Sequence, residues 1–275
     1  MLLSVMNAAV STTCLIAFGG NQGDPLERLR TALQALKQVG FDIQQVSRPK
    51  LTKAVGGPLH QPDYLNAAIL ADTQLSVEGA VDALLAAERI CGRVRNERWG
   101  PRGVDLDLLL YGEKISESQL ATVPHPRMTL RRFVLEPANE IAPTMREPIS
   151  GRTIAELLAH LNSPARVVVW WVHDRGMTEQ VIERLRALPE PQWVVTEGEP
   201  GKRHEIPSGF SNRWELVLAA TPDAVRNCTP QSRLVICDSC SPRELIGLVQ
   251  GPYLCLKGDV EAMVEELLAA TAAMS

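Results

Sequence analysis

The sequence of 275 residues lacks several features that would place a protein in a functional class at once. No apolar run approaches the ~18 residues that a membrane-spanning helix needs. Basic residues are not in excess, since 28 Lys and Arg stand against 32 Asp and Glu, which argues against binding of duplex nucleic acid. The opening "MLLSVMNAAVSTTC" has no basic leading segment, so we expect no signal peptide. A Gly-rich P-loop, the familiar cradle for nucleoside triphosphates, is also missing.

Six cysteines are scattered along the chain, and several lie within apolar runs. This distribution predicts reduced thiols in a cytoplasmic protein. One pair, Cys237 and Cys240 in "CDSC", follows a predicted strand and precedes a predicted helix. The spacing fits a redox pair, half of a metal site, or ordinary cysteines at the end of a strand. The last interpretation is favoured, because no second pair of ligands follows.

The first half of the chain predicts the order βαββαβ of a ferredoxin-like fold. The predicted strands are "TCLIAFGG", "FDIQQVS", "YLNAAILAD" and "VDLDLLLYG", and the predicted helices are "DPLERLRTALQALKQV" and "SVEGAVDALLAAERIC". Asp24 and Ser76 are the expected N-caps of these helices. A further helix, "GRTIAELLAHL", is expected to close this half.

The second half predicts a separate α/β domain with a mainly parallel sheet. Five short apolar runs of strand length alternate there with helical segments, beginning with "RVVVWWV". The expected class is therefore α/β, with an α+β first domain at residues 1–162 and a second domain at residues 165–275. We expect the second domain to fold independently of the first and not to be needed for the chemistry of the first.

The segment "RWGPRGVDLDLLLYG" places two aspartates in a run that otherwise predicts a buried strand. Alternation along the strand puts Asp105, Asp107, Leu109 and Tyr111 on one face. Two carboxylates about 7 Å apart on a half-buried face repel each other and resist desolvation. A positive group is therefore expected between them, either an arginine or a metal ion.

Several features accompany this acidic pair and indicate a chemistry. The loop before the strand is rich in arginine, "VPHPRMTLRRF" follows it, and Tyr64 and Asn66 share a strand face. Together they favour metal-assisted transfer of phosphate to a flat heterocycle, with arginines holding the developing charge. A surface network of ion pairs explains the scattered charges equally well at this point.

The segment "RWGPRGVDLDLLLYG" also resembles the signature of 6-hydroxymethyl-7,8-dihydropterin pyrophosphokinases. Three further segments resemble this family in the same order: "IAFGGNQGDPLERLRTAL", "QPDYLNAAI" and "VPHPRMTLRRFVLEPANEIAP". The resemblance covers most of residues 13–162. Two departures are Gly20, where the family usually has serine, and Leu120, where it often has arginine.

The resemblance implies transfer of the β,γ-diphosphate of ATP to the hydroxymethyl oxygen of the pterin, with release of AMP in folate biosynthesis. It implies two Mg²⁺ ions at Asp105 and Asp107, and a pterin ring held by Tyr64, Asn66 and Phe133. The residues that it places at ATP are Glu88, Trp99, Arg102, Thr122, His125 and Arg131. Catalytic arginines are implied at Arg93, Arg95 and Arg102, the first two on a loop that closes over the site.

Two other functions stay open at the level of the sequence. The chain could be a catalytically silent relative that binds pterin or nucleotide and acts through its second domain, or a bifunctional enzyme. The retained aspartates argue against the first, and the absence of a phosphate loop or nucleophile motif after residue 165 argues against the second. The expected roles of the second domain are self-association or docking of a pathway enzyme.

Overall fold

The protein is described by a computed structural model that covers residues 11–54, 61–92, 103–118, 120–162, 166–189, 192–197, 213–228 and 232–274. The chain divides into two compact units. The first unit comprises Met1–His125 with Glu140–Ala142, and the second comprises Pro126–Asn139 with Pro143–Ser275.

The first unit has the predicted ferredoxin-like order of helices and strands. Its elements are β1 (Thr12–Gly20), α1 (Pro25–Gln38), β2 (Phe41–Val46), β3 (Lys50–Thr52), β4 (Tyr64–Thr73), α2 (Val77–Ile90), β5 (Asp105–Tyr111), β6 (Ser116–Glu117) and β7 (Thr122–Val123). The main sheet has the order β2-β4-β1-β5 with antiparallel neighbours, and β3 pairs with β4. The βαββαβ prediction is confirmed.

Local sequence signals explain where the two helices of this unit begin. Asp24 accepts hydrogen bonds from the backbone N–H groups of Leu26 and Glu27, and Pro25 occupies the first turn of α1. Ser76 caps α2 in the same way through the N–H of Gly79. Both helices then bury an apolar stripe against one face of the sheet, and this core leaves the opposite face of the sheet for a site.

The second unit contains a parallel five-stranded sheet, which confirms the predicted α/β architecture. Its strands are β8 (Val167–Trp171), β9 (Gln192–Glu197), β10 (Arg213–Ala219), β11 (Leu234–Asp238) and β12 (Tyr253–Leu256), in the order β12-β11-β8-β10-β9. The helices are α3 (Arg132–Ile141, whose last residues belong to the first unit), α4 (Ile154–Leu161), α5 (Arg175–Arg186), α6 (Pro222–Cys228) and α7 (Val260–Ala273).

Buried contacts within the second unit cross the predicted domain boundary at residues 162–165. The side chain of Tyr253 donates to Glu147, which is fully buried, and its backbone N–H donates to the hydroxyl of Thr129. Arg233 donates to the carbonyl of Leu161, and Arg127 forms a two-pronged ion pair with Glu266. The segment that ends near residue 162 is therefore packed with residues that follow it, and the boundary itself stays a prediction.

The prediction that all six cysteines are reduced thiols is wrong for one pair. Cys237 and Cys240 form a disulfide, with their Cα atoms 6.0 Å apart. Only a compact turn brings two residues at this spacing close enough to bond, and the sequence pattern does not distinguish such a turn from an ordinary strand end. Cys14, Cys91, Cys228 and Cys255 lie outside the disulfide.

The helices of the structure are consistent with the lack of a long apolar run in the sequence. No helix among the described residues combines the length and the apolar character that a bilayer-spanning segment requires.

The partly buried ring of His160 is expected to make the stability of the second unit depend on pH. Burial lowers the pKa of His160 from its usual value, and its Nε2 lies 2.8 Å from the carbonyl oxygen of Ser232. Because the folded pKa is below the unfolded one, this stability is complete above about pH 6.5 and is lost as the pH falls through the folded pKa. We expect the unfolding free energy of the native chain to fall over that range relative to His160→Gln, which cannot titrate.

Urea unfolding followed by tryptophan fluorescence measures this difference, since four of the five tryptophans lie in the second unit. If the unfolding free energies of the two proteins change in parallel with pH, His160 has the same pKa in the folded and the unfolded chain, which would contradict this prediction.

Candidate active site

The face of the first unit's sheet opposite α1 and α2 holds the predicted acidic pair. In β5, Leu106 and Leu108 belong to the core cluster beneath the helices, so Asp105 and Asp107 lie on the opposite face. In β4, Leu65 and Ala67 belong to the same cluster, which places Tyr64 and Asn66 on the face of the aspartates. The structure therefore brings together four side chains that lie on two different strands.

The predicted face of Tyr111 is wrong, because β5 contains a β-bulge. The register between β1 and β5 pairs Leu15 with Leu110 and then Ile16 with Leu108, so that one residue of β5 is extra. Such an insertion reverses the alternation of the strand beyond it. Tyr111 consequently joins the core cluster and donates a hydrogen bond to the carbonyl of Leu75. The acidic pair precedes the bulge and keeps the predicted face.

Glycine separates the acidic strand from the amide of Asn66. The register pairs Gly19 of β1 with Asn66 on one side and with Asp105 on the other. A Cβ at Gly19 would lie 3.9 Å from the Oδ1 of Asn66 and 3.9 Å from the Cβ of Asp105. The missing side chain leaves space between the carboxylate of Asp105 and the amide of Asn66. Beside this space Ala17 pairs with Ala68, and their small side chains add little bulk.

His125 lies beside the second aspartate. Its Nε2 is 3.7 Å from the Oδ2 of Asp107, and its backbone N–H donates to the carbonyl of Leu109 at 2.9 Å. The side chain of Asp107 is 39% exposed and that of His125 is 19% exposed, so the pair borders solvent. An imidazole in this position can donate to an anionic oxygen that approaches Asp107.

Glu88 supports the acidic strand from its edge. The side chain is 3% exposed, and its Oε1 accepts the backbone N–H of Leu106 at 2.8 Å. Leu106 stands between the two aspartates, so this hydrogen bond fixes the backbone from which both project. The bond gives Glu88 a positioning role, and its predicted contact with ATP stays a prediction.

The amide of Asn66 is oriented by two neighbours. Its Nδ2 donates to the hydroxyl of Thr52 at 2.9 Å and to the carbonyl of Tyr64 at 3.2 Å. Asn66 is 7% exposed, so this anchoring holds a largely buried amide in one orientation. The hydroxyl of Tyr64 donates to the Oε1 of Gln61 at 3.3 Å. No pattern in the sequence indicates Thr52, whereas the paired glycines that end "TCLIAFGG" are a visible signal for Gly19.

The outcome for the remaining predicted site residues differs from one residue to the next. Thr122 is exposed in the short β6–β7 hairpin of the first unit. Arg131 and Phe133 belong to the second unit, where the guanidinium of Arg131 lies 5.6 Å from the ring centroid of Phe133. Four predicted residues fall outside the described residues: Arg93, Arg95, Trp99 and Arg102.

The donor set on the open face fits magnesium. Mg²⁺ prefers oxygen ligands and is usually bound by one or two carboxylates together with substrate phosphates, not by a complete protein cage. Asp105 and Asp107 supply such carboxylates on one face. Among the residues that the structure describes, no group of three or more His, Cys, Asp and Glu side chains could hold a metal. Two carboxylates on one face fit an ion that also takes ligands from a bound substrate.

Gly20 lies too close to Gly103 to carry a side chain in this backbone, and this contact yields a prediction. A Cβ at Gly20 would lie 2.7 Å from the carbonyl oxygen of Gly103, too close without movement of the backbone. We expect Gly20→Ala to lower the unfolding free energy by about 1–3 kcal/mol, as overpacking does. Gly19→Ala is the matched control, because its nearest contacts are 3.9 Å away. Chemical unfolding of both variants tests this, and equal stabilities would mean that the β1–β5 edge adjusts freely.

Comparison with known proteins gives one consistent result. The model of the family "7,8-dihydro-6-hydroxymethylpterin-pyrophosphokinase (HPPK)" matches residues 15–143. A relative from Synechocystis, 2-amino-4-hydroxy-6-hydroxymethyldihydropteridine pyrophosphokinase, is 40% identical over 57% of this chain and 78% of its own length. The protein of the same name from Pseudomonas aeruginosa is 40% identical over 52% of this chain and 88% of its own length.

Among solved structures, the chain is similar to wild-type Plasmodium falciparum HPPK-DHPS with pteroate. The TM-score is 0.43 at 10% identity, covering 95% of this chain and 80% of that one. The two sequence relatives, by contrast, are covered over most of their length at an identity that unrelated chains do not reach. The chain belongs to the 7,8-dihydro-6-hydroxymethylpterin-pyrophosphokinase family and is a pyrophosphokinase of folate biosynthesis.

Proposed function

We propose that this chain transfers diphosphate from ATP to the hydroxymethyl group of 6-hydroxymethyl-7,8-dihydropterin and releases AMP. The observation that carries the proposal is the common face shared by Asp105, Asp107, Asn66 and Tyr64, with the gap at Gly19 between them. Asp105 and Asp107, the proposed metal ligands, thus lie on one side of a gap without side chains. The oriented amide of Asn66 and the ring of Tyr64 lie on the other side. A cytoplasmic location remains part of the proposal.

The proposed metal ligands are Asp105 and Asp107, which would hold two Mg²⁺ ions. Mg²⁺ held there would neutralise the phosphate charge and orient the phosphates for an in-line displacement. The protein's own contribution begins with Glu88, which accepts the N–H of Leu106 and so holds the backbone between the two carboxylates. His125 is proposed to donate to a phosphate oxygen that lies next to Asp107.

Pterin recognition is proposed at Tyr64, Asn66 and Phe133. The amide of Asn66 is already oriented by Thr52, so it can bond a heterocycle edge without first losing conformational freedom. The rings of Tyr64 and Phe133 are proposed to stack on the pterin. The residues proposed to bind ATP or to hold the developing charge are Glu88, Arg93, Arg95, Trp99, Arg102, Thr122, His125 and Arg131.

Release of AMP from ATP and Mg²⁺, measured with and without the hydroxymethyl dihydropterin, tests the proposal. We expect AMP to form only when both substrates and the metal are present. Binding of pterin and ATP without any AMP would instead identify a catalytically silent relative that acts through its second unit. Self-association or docking of a pathway enzyme by that unit stays a proposal.

Replacement of Phe133 separates the pterin subsite from the ATP subsite. Loss of a ring stacked on a heterocycle should weaken pterin binding by about 1–3 kcal/mol, judged from aromatic stacking on nucleic-acid bases. We therefore expect Phe133→Ala to raise the dissociation constant of the pterin much more than that of ATP in calorimetry. Phe133→Tyr, which keeps a ring, is the control. Equal weakening of both ligands would assign Phe133 to packing alone.

A further inference from the structure

The second unit has a crevice at the carboxyl edge of its parallel sheet. β8 and β11 are neighbours, but the chain leaves β8 toward β9 on one side and leaves β11 toward β12 on the other. This arrangement is a topological switch point, where open α/β sheets form ligand crevices. The crevice has a volume of about 510 Å³. Its lining includes Asp174, Ser239, Cys240, Glu244 and Lys257.

Three sulfur atoms lie close together where Cys240 lines this crevice. Cys237 and Cys240 form the disulfide, and the Sγ of Cys240 lies 3.7 Å from the Sγ of Cys255. Cys255 of β12 pairs in register with Cys237 of β11, so the sheet itself places the third sulfur beside the disulfide. Cys255 is more exposed than Cys237 and Cys240, which are both buried. A thiol next to a disulfide is the arrangement that thiol–disulfide exchange requires.

The backbone and the neighbouring polar groups hold this arrangement in place. Ser239, between the bonded cysteines, has φ +64°, a left-handed conformation that non-glycine residues seldom adopt and that concentrates at functional sites. Asp238 is fully buried and accepts the backbone N–H groups of His173 and Asp174. These bonds bring the Nδ1 of His173 to 3.9 Å from the Sγ of Cys237. The sulfur that would leave on exchange thus has an imidazole beside it.

We propose that the crevice is a thiol–disulfide exchange site in which Cys255 passes reducing equivalents from a small-molecule thiol to the Cys237–Cys240 disulfide. The thiolate of Cys255 attacks the Sγ of Cys240, the Cys240–Cys255 bond forms, and the Cys237–Cys240 bond breaks. Cys237 leaves as a thiolate and takes up a proton equivalent to the one that Cys255 lost. This step moves the disulfide without net oxidation or reduction.

The external thiol then completes the reduction. It attacks the Sγ of Cys255 in the new bond and forms a mixed disulfide, which releases Cys240 as a thiol. A second external thiol displaces Cys255 and leaves as the symmetrical disulfide. In total, one protein disulfide and two small thiols become two protein thiols and one small disulfide, so two electrons and two protons are transferred. The proposal is independent of the pterin reaction.

The sequence provides a direct readout for the full chain. Trypsin cleavage after Arg233, Arg243 and Lys257 places Cys237 and Cys240 in one peptide and Cys255 in the next. A Cys237–Cys240 bond therefore appears within a single peptide, whereas a Cys240–Cys255 bond joins two peptides. The native chain is equilibrated in buffers with different ratios of reduced to oxidised glutathione and then rapidly alkylated. We expect both species, with the two linked peptides most abundant at intermediate ratios.

Two variants and one control decide the proposal. Cys237→Ser should accumulate the joined peptides, and Cys255→Ser should keep the internal disulfide but lose it to glutathione at least about 10-fold more slowly, because its sulfurs are buried. Cys228→Ser, a buried cysteine of α6, should behave as the native chain. Circular dichroism checks the fold, and Cys255→Ala replaces Cys255→Ser if the latter does not fold. Absence of joined peptides in Cys237→Ser, unchanged reduction of the Cys255 variants, or stoichiometric zinc bound by the cysteines of the native chain would each overturn the proposal.

Discussion

Replacing either aspartate of β5 with asparagine is expected to lower the turnover number by at least about 100-fold while the fold is retained. Asp105→Asn and Asp107→Asn each remove one of the two charges proposed to hold Mg²⁺. The shape of the side chain is kept, and both positions lie on the face of the sheet opposite the helices, outside the core cluster. Relief of the repulsion between two carboxylates offsets part of any lost contact, so stability should change little.

The measurement is steady-state release of AMP over a range of Mg²⁺ concentrations. Asp42→Asn is the matched control, because Asp42 is an exposed aspartate in β2 of the same sheet. The single variants should require more Mg²⁺ than the native enzyme, and the control should not. A double variant that turns over normally at saturating Mg²⁺ would refute the assignment of the metal ligands.

The face of the acidic pair could be predicted from the sequence because it depends on strand alternation alone. Asp105 and Asp107 alternate with Leu106 and Leu108, and nothing interrupts the strand between them. The prediction failed at Tyr111, because the bulge depends on how β5 pairs with β1 and not on the residues of β5. Periodicity within one strand cannot report an extra residue relative to another strand.

Elements with weak local signals were missed for a related reason. α3 carries Pro137 within it, and a proline inside a helical pattern argues against a helix when the sequence is considered alone. The helix predicted directly after "CDSC", in the segment "SPRELIGLV", is instead a 3₁₀ turn at Pro242–Leu245. β3 has three residues and forms because it can pair with β4. In each of these segments tertiary contacts outweigh local propensity.

The candidate site divides in the same way between local and distant causes. Tyr64, Asn66 and the aspartates were predictable because each lies on a strand with clear alternation. Thr52, which orients Asn66, lies in β3, a strand that the sequence pattern does not predict. The hydrogen bond from Leu106 to Glu88 joins residues 18 positions apart, and a sequence pattern shows neither its partner nor its direction. The disulfide of Cys237 and Cys240 likewise depends on the turn at Ser239.

Truncation after Asn162 is the second change expected to have a large effect. The sequence predicted that residues 165–275 are dispensable for the transfer, whereas the second unit shows buried contacts on both sides of that point. Without Tyr253, the buried carboxylate of Glu147 loses a donor and gains exposure, and Arg127 loses its partner Glu266. A buried polar group that loses its partner costs about 1–3 kcal/mol, which is a large share of the ~5–15 kcal/mol that stabilise a typical domain.

We therefore expect the truncated chain to show reduced helical circular dichroism, to aggregate, and to lose most of its AMP release, since Arg131 and Phe133 lie in the segment that loses its support. Tyr253→Phe in the full chain is the graded control: it removes only the hydroxyl that donates to Glu147 and should lower the unfolding free energy by about 1 kcal/mol with activity retained. A truncated chain that folds and keeps most of its activity would instead support a domain boundary at residues 162–165. It would also show that the contacts of Tyr253 and Arg233 with the preceding segment contribute little to its stability.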